Sequence, residues 1–339
     1  MVVNPITRPG ADNGGSDKQA LFYKLWAGEV LTAFHRENKL MGMTRSKTIS
    51  SGKSAAFPIT GVASTAYHTA GESVYGTDNS QTNTYLSNIL GKEIEIFVDD
   101  PVVSGVFVPE IDRLMNYFDE RSIYTQEVGT ALAEKMDTNI LSTLLAAGYR
   151  DPADFNPTGV PNMPTASKRA TIATETGENI ADRIYDIAQL FDEYNIPKMG
   201  RTCVLKPSAY HKLASVTDLV NKDFTSGAGD VTKREIMAVA GFDIVMSNAF
   251  QSTDESATTV AGVRNDPWDD IGTAYNADFR YHLGVCFVPD AMATVRLKEI
   301  GVDAEHSVER RGDLILSDYI AGHGVLRPDC AALIQTVAG

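Results

Sequence analysis

Hydrophobic positions follow three different spacings along the chain. Between Lys18 and Lys39, Leu21, Phe22, Leu25, Trp26, Val30 and Phe34 recur every three or four residues, the spacing of one helix face. Gly28 interrupts that run. Residues 1–17, rich in Gly, Pro, Asn and Asp, read as a flexible tail ahead of it. A helix on such an arm must dock its apolar stripe on its own body or on a partner. From 48 to 98 the pattern becomes extended. Ile49, Phe57 and Ile59 flank a Ser/Gly/Lys stretch, and Pro58 suits an edge strand. Ile94, Ile96 and Val98 alternate with Glu93, Glu95 and Phe97 as a strand. Between these runs, residues 60–90 are dense in Thr, Ser, Asn, Gly and Tyr, with only Glu72 and Asp78 charged. The whole reads as a long two-stranded ribbon with a polar tip. An isolated ribbon is marginally stable in water, so it must lie against something.

The third pattern covers 109–147. Ile111, Leu114, Met115, Phe118, Val128, Leu132, Met136, Ile140 and Leu144 form one helical stripe. Pro109 suits the first turn, Glu110 and Asp112 suit the positive helix end, and Gly148 suits the residue after the end. At ~1.5 Å per residue this is a rod of roughly 60 Å, far longer than an average globular helix. Arg121 and Ser122 break the stripe, and Gly129 lies inside it, so a helix lying across a sheet fits better than a coiled coil.

Residues 150–178 read as a Pro/Thr/Asn loop, followed by a helix at about 180–194 with Ile184, Ile187, Ala188 and Phe191 inward and Pro197 beyond its end. Short elements then alternate: strands at 201–205, 242–246 and 283–288, and helices at 208–214 and 233–239, separated by loops at 217–230 and 251–275. Longer strands close the chain at 294–300, 314–320 and 331–337. No internal repeat occurs.

Composition narrows the classes. Of 339 residues, 43% are hydrophobic and 22% charged, as in ordinary globular proteins. The net charge is −14. Residues 1–60 carry eight Lys or Arg against four Asp or Glu, so the rest of the chain is more acidic still. Such a body repels phosphate backbones and argues against tight nucleic-acid binding. Cys203, Cys286 and Cys330 lie far apart in sequence, odd in number, which argues against a disulfide framework or thiolate zinc site and fits a reducing compartment. No apolar run approaches the ~20 residues of a membrane span, and no signal-peptide pattern opens the chain, so no membrane partner is expected.

Catalytic motifs are missing. Gly52-Lys53-Ser54 resembles the end of a phosphate-binding loop and supports a remote alternative, an NTP-binding enzyme. Position 47 is Lys where that loop needs Gly, and Pro58 prevents the helix start that would hold phosphate. His282 and Cys286 read as packed side chains of a strand, Asp99-Asp100-Pro101 as a turn, and Arg310-Arg311 as an ion-pairing site. Gly322-His323-Gly324 with Arg327-Pro328 reads as a tight turn. No enzyme activity, metal or cofactor is expected. An arm, a ribbon and a rod cannot bury themselves; they make sense when copies overlap, as in a shell.

Several stretches resemble the major capsid proteins of T7-like short-tailed phages. They are Ala20-Leu21-Phe22 with Gly28 to Phe34, Ile49 to Pro58, Met115-Asn116-Tyr117 with Arg121-Ser122 and Tyr124-Thr125, and Gly322 to Pro328. They span nearly the whole chain in the family's order. The resemblance implies an α+β, HK97-like capsid fold. Its parts are an N-terminal arm (1–47), an extended β-hairpin loop (48–98), and a peripheral domain (99–177 and 291–339) with a spine helix at 109–147. A mixed α/β axial domain occupies 178–290. It implies a structural role: hexamers and pentamers of an icosahedral shell enclosing double-stranded DNA. Expected partners are further copies of the chain, scaffolding protein, a portal and a decoration protein, with weak contact to packaged DNA. Candidate contacts between subunits are Leu21, Phe22, Leu25, Trp26, Phe34, Lys53, Tyr67, Tyr75 and Tyr85. Some relatives crosslink a Lys to an Asn; Lys53, Lys92 and Asn88 match by type, although the T7-like branch is not expected to crosslink. The competing shell reading is an encapsulin-type compartment holding enzyme cargo.

Overall fold

Strands among the described residues sort into three sheets, and one long helix bridges two of them. The computed structural model describes residues 29–30, 32–34, 38–63, 65–68, 70–71, 89–111, 121–157, 163–216, 238–250, 275, 278 and 280–336. A four-stranded sheet has the order β1 (Arg45–Thr48), β10 (Met292–Ser307), β11 (Gly312–Val325), β4 (Val102–Pro109). β1 runs parallel to β10, and the other neighbours are antiparallel. A six-stranded sheet has the order β5 (Arg169–Ile172), β12 (Ala331–Thr336), β9 (His282–Phe287), β6 (Thr202–Leu205), β8 (Phe242–Met246), β7 (Ala238–Val239). The ribbon pairs β2 (Ser54–Thr60) with β3 (Gly91–Phe97).

The bridging helix is α1 (Arg121–Tyr149). It packs on β4 and β11 of the first sheet and on β9 and β12 of the second, and Val128, Leu132, Met136, Ile140 and Leu144 are all buried. The predicted stripe therefore holds from Val128 onward; Ile111 is exposed instead, Leu114, Met115 and Phe118 lie outside the described residues, and the predicted bounds do not hold. Val102–Pro109 is a strand antiparallel to β11, and Glu110 N–H donates to Arg311 O at 2.9 Å, prolonging the pairing. Pro109 thus ends a strand, and helix appears only at Glu110 and Ile111; residues 112–120 lie outside the described residues. The helix also runs past Gly148 to Tyr149. Gly148 is a packing position: a Cβ there would lie 2.3 Å from Leu333 Cγ.

Three more expectations change. The 150–178 segment is not all loop: it holds α2 (Pro152–Phe155), capped by Asp151, and strand β5. Ala238–Val239, expected in a helix, is a strand paired with β8 through Ala240 and Gly241, whose positive φ values of 52° and 82° suit a two-residue hairpin turn. Residues 233–237 lie outside the described residues. Gly322-His323-Gly324 is not a turn but lies near the end of β11, paired with Ala293–Val295 of β10. The tight turn lies further on, at Pro328–Cys330.

Apart from Ala238–Val239, the described segments within 178–290 form the expected elements. α3 (Gly177–Glu193) is capped by Thr176, whose hydroxyl accepts from Asn179 N–H, and buries Ile180, Ile184, Ile187 and Phe191. It stops at Asn195, which takes the left-handed conformation (φ 55°). α4 (Pro207–Leu213) follows β6. The closing strands divide: β10 and β11 belong to the four-stranded sheet, while β12 pairs with β9 and β5 in the other.

Candidate assembly surfaces

The arm reaches the body at α1. Residues 29–30 and 32–34 are helical, and Val30, Ala33 and Phe34 are buried. A Cβ on Gly129 would lie 2.7 Å from Ala33 Cβ and 2.9 Å from Val30 O. Only glycine permits this close crossing of the arm segment over α1. Eight residues further along the same helix, buried Asp137 accepts from the backbone N–H groups of Lys39 (3.1 Å) and Leu40 (3.3 Å), holding the arm's exit. Burial pushes the Asp137 carboxyl up to about 6, partly offset by those two hydrogen bonds and by Lys39. Because the native value lies above the unfolded one, the ionised latch costs stability at neutral pH, and that cost shrinks as pH falls from about 6 towards the unfolded value of 3.8.

The ribbon is anchored at its base and uncovered beyond it. Ala55, Ile96 and Val98 pack with Ala293, Val295 and Leu326 in a small second core against the four-stranded sheet. Here Gly324 matters: a Cβ there would lie 2.8 Å from Ile96 Cγ1. Gly324 thus lets the ribbon cross β11. His323 itself is buried, with Nδ1 2.9 Å from Thr294 Oγ1, and burial brings its pKa down to about 3. Tyr275 O–H donates to Asp99 Oδ2 at 2.7 Å and accepts from His323 N–H at 3.1 Å, tying the ribbon root to β11 and to the residues before β9. Outward from the base, Val62, Tyr67, Ile89 and Leu90 are all exposed, Tyr67 completely.

A buried cation closes the far end of α1. Lys168 Nζ donates to Ala147 O (3.0 Å), Arg150 O (2.6 Å) and Pro328 O (3.2 Å). It meets the carbonyls and the negative dipole end of the helix. Burial lowers its pKa to about 8, against the opposing pull of Asp329. Asp329 in turn accepts from Asn156 Nδ2 and from Met163 N–H.

The structure distributes the predicted contact residues unevenly. Phe34 is occupied within the subunit: it is buried against Tyr319, with ring centroids 6.1 Å apart, because the arm segment lies on α1 and β11. Lys53 and Tyr67 are exposed on the ribbon. Leu21, Phe22, Leu25, Trp26, Tyr75 and Tyr85 lie outside the described residues, as does Asn88. Lys92 Nζ donates to the Asp154 carbonyl of its own chain. Gly52-Lys53-Ser54 leads straight into strand β2, and the Lys53 carbonyl accepts from Val98 N–H at 2.8 Å. With a strand where a phosphate loop needs a helix start, the segment is ribbon base. Arg310 and Arg311 sit on the β10–β11 turn and make no ion pair among the described residues, so the ion-pairing expectation is not met there. Cys203 and Cys286, distant in sequence, have their sulfurs 3.0 Å apart, and all three cysteines are free and buried. Sequence reasoning did not pick out Asp137 or Lys168. No motif marks either, since each acts on backbone groups far away in the chain.

An anchored ribbon with exposed apolar residues, a clamped arm and a helix bridging two sheets are the main structural features of the chain. The family model described as "Gp10A-like: Major capsid protein" matches residues 56–335. The chain belongs to that family. It is 27% identical to the major capsid protein of Enterobacteria phage T3 over 97% of this chain and 95% of that one. It is 26% identical to the major capsid protein of Escherichia phage T7 over 94% and 92%. The capsid structure of cyanophage P-SCSP1u superposes with a TM-score of 0.73 at 31% identity, covering 99% of this chain and 100% of that one. The fold is therefore the HK97-like capsid fold, α+β in class, and the role is structural: the chain forms the capsid shell of a phage with copies of itself. The encapsulin-type alternative is not favoured.

Proposed function

We propose that the chain assembles as hexamers and pentamers into a closed icosahedral shell around packaged double-stranded DNA, and that the ribbon tip locks each subunit to a neighbour. Synthesis and assembly take place in the host cytoplasm, with scaffolding protein and a portal as partners. A decoration protein is a further candidate for the finished surface. The acidity of the chain, net −14 overall, keeps contact with packaged DNA weak. Leu21, Phe22, Leu25 and Trp26 of the arm, and Lys53, Tyr67, Tyr75 and Tyr85 of the ribbon, are the proposed contacts; Phe34 serves the subunit's own core.

One observation carries this reading. The ribbon buries its base but exposes Val62, Tyr67, Ile89 and Leu90 just beyond it. Apolar residues grouped on a projection mark an interaction surface. Replacing residues 61–90 with a short Gly/Ser turn keeps both strands and the second core, and closing a shorter loop costs little entropy. The shortened protein is expected to be soluble and folded by circular dichroism, yet to form no closed particles by electron microscopy. Leu90→Asp is expected to lower particle yield in the same direction. Particles of wild-type size and heat resistance from the shortened chain would show that the ribbon does not lock subunits.

A further inference from the structure

We propose that Cys203 and Cys286 are a latent crosslink, which closes into a cross-strand disulfide once the particle has left the reducing cytoplasm. The two residues face each other across β6 and β9 in the register Thr202↔Phe287, Cys203↔Cys286, Val204↔Val285, Leu205↔Gly284. Lys206 N–H donates to Leu283 O at 2.9 Å, which makes that pair a hydrogen-bonded one. Pair types alternate along an antiparallel ladder, so Cys203 and Cys286 form a non-hydrogen-bonded pair. In such pairs the Cα atoms are about 4.5 Å apart and the side chains lie closest. A disulfide spans Cα separations of about 4.4–6.8 Å, so the backbone already has the required spacing. The sulfurs point at one another at 3.0 Å, with the thiol of Cys286 donating to the sulfur of Cys203. Forming the bond, at about 2.05 Å, needs each sulfur to move by only about half an ångström. Cys330 has no such partner: its carbonyl accepts from Val288 N–H, and Ala332, not Cys330, is in register with Cys286.

The oxidant is a small disulfide of the oxidised-glutathione class, or an equivalent thiol oxidant outside the cell. One cysteine thiolate attacks it and releases one small thiol. The second cysteine then attacks the mixed disulfide and releases the other. The protein loses two protons and two electrons, and the small disulfide is reduced to two thiols. Both residues are fully buried, and burial raises the Cys286 pKa, so the exchange waits on local opening and is slow. Assembly in the cytoplasm therefore precedes it. Oxidising surroundings, virion surfaces among them, are where disulfides persist. The bond would join two inner strands of the six-stranded sheet and close a separation of 83 positions in the chain.

This inference rests on the reading of the chain as the wall of an exported particle, and electron microscopy of each sample checks that reading separately. Wild-type particles are released anaerobically into an alkylating reagent, or first held with oxidised glutathione a few degrees below their dissociation temperature. Both samples are then denatured, fully alkylated and mapped by mass spectrometry. The fresh sample is expected to carry three alkylated cysteines, and the incubated one only Cys330, with a peptide joining Cys203 to Cys286. Oxidised particles are expected to dissociate several degrees higher, a gain that dithiothreitol reverses and Cys203→Ala lacks. Intact incubated particles with three alkylated cysteines, or with glutathione still attached to Cys203 or Cys286, would overturn the proposal.

Discussion

Gly129→Ala tests whether the subunit's arm is held by close backbone contact with α1. The substitution should favour the helix itself, since Ala exceeds Gly by about 1 kcal/mol in helix propensity. Against that stands the space. The new Cβ would sit 2.7 Å from Ala33 Cβ, 2.9 Å from Val30 O and 3.3 Å from Phe34 N. Carbon atoms prefer about 3.5–4.0 Å. Two of the three obstructing atoms are backbone, so no rotamer change relieves them, and the arm segment must move as a body. Overpacking of this kind costs roughly 1–3 kcal/mol. A displaced segment also begins to uncover Val30 and Phe34, each worth roughly 1.5–3 kcal/mol when fully buried.

The gain and the cost therefore fall on different parts of the molecule. α1 becomes slightly more stable while the arm docks less well. A net loss of about 1–2 kcal/mol in docking corresponds to a roughly 5–30-fold rise in the undocked population. Limited proteolysis of dissociated subunits reads that population directly, and cleavage in the arm is expected to accelerate by that factor. Circular dichroism should show the fold retained. If the arm of the variant is cleaved no faster than wild type, the close crossing does not exist in solution, and the role assigned to Gly129 is wrong.

Two other substitutions probe the interior. Lys168→Met keeps the length of the side chain but strands the carbonyls of Ala147, Arg150 and Pro328, so a loss of roughly 2–5 kcal/mol is expected; a denaturation midpoint equal to wild type would remove Lys168 from its capping role. His323 is held neutral with a native pKa of about 3 against 6.5 when unfolded, so the unfolded state binds the proton first and stability drains away as pH falls below 6.5. Relative to His323→Gln, wild type should lose about 1.4 kcal/mol per pH unit between 6 and 4. Parallel stability curves for the two proteins would mean that His323 does not titrate on unfolding.

Periodic segments were readable from the sequence because one contiguous stretch carries the whole signal. The α1 stripe, the α3 stripe and the alternation at Ile94, Ile96 and Val98 are local facts, and burial follows them. Glycines were misread because their reason lies elsewhere in the chain. Gly148 looked like a helix stop, but it faces Leu333, 185 positions away in the chain. Gly324 looked like part of a turn, but it makes room for Ile96. Strand β4 was missed because Pro109 reads as the first turn of the helix that appears at Glu110, and only the presence of β11 beside Val102–Pro109 makes that stretch a strand. Among the proposed contacts, Phe34 shared a stripe with Leu21 and Trp26 and was grouped with them. Spacing alone cannot tell which residues of a stripe the subunit covers itself.

That division between covered and uncovered ends bears on how a shell can assemble without trapping errors. The arm root and the ribbon base are held within the subunit, by Gly129 with Asp137 and by the second core with Gly324. The roots of arm and ribbon are therefore fixed before any partner arrives, and fixing them in advance reduces the entropy lost on association. Among the described residues, what remains exposed on the ribbon is a short set of large apolar side chains: Val62, Tyr67, Ile89, Leu90 and Phe97. Burying a few such side chains, at roughly 1.5–3 kcal/mol each, only modestly exceeds the cost of immobilising a subunit. If the ribbon makes the proposed contacts, single ones are weak enough to dissociate and correct, whereas a subunit held by several neighbours at once gains effective concentration and stays. A covalent bond across β6 and β9, formed slowly inside the finished subunit, would add heat resistance without making those early contacts irreversible.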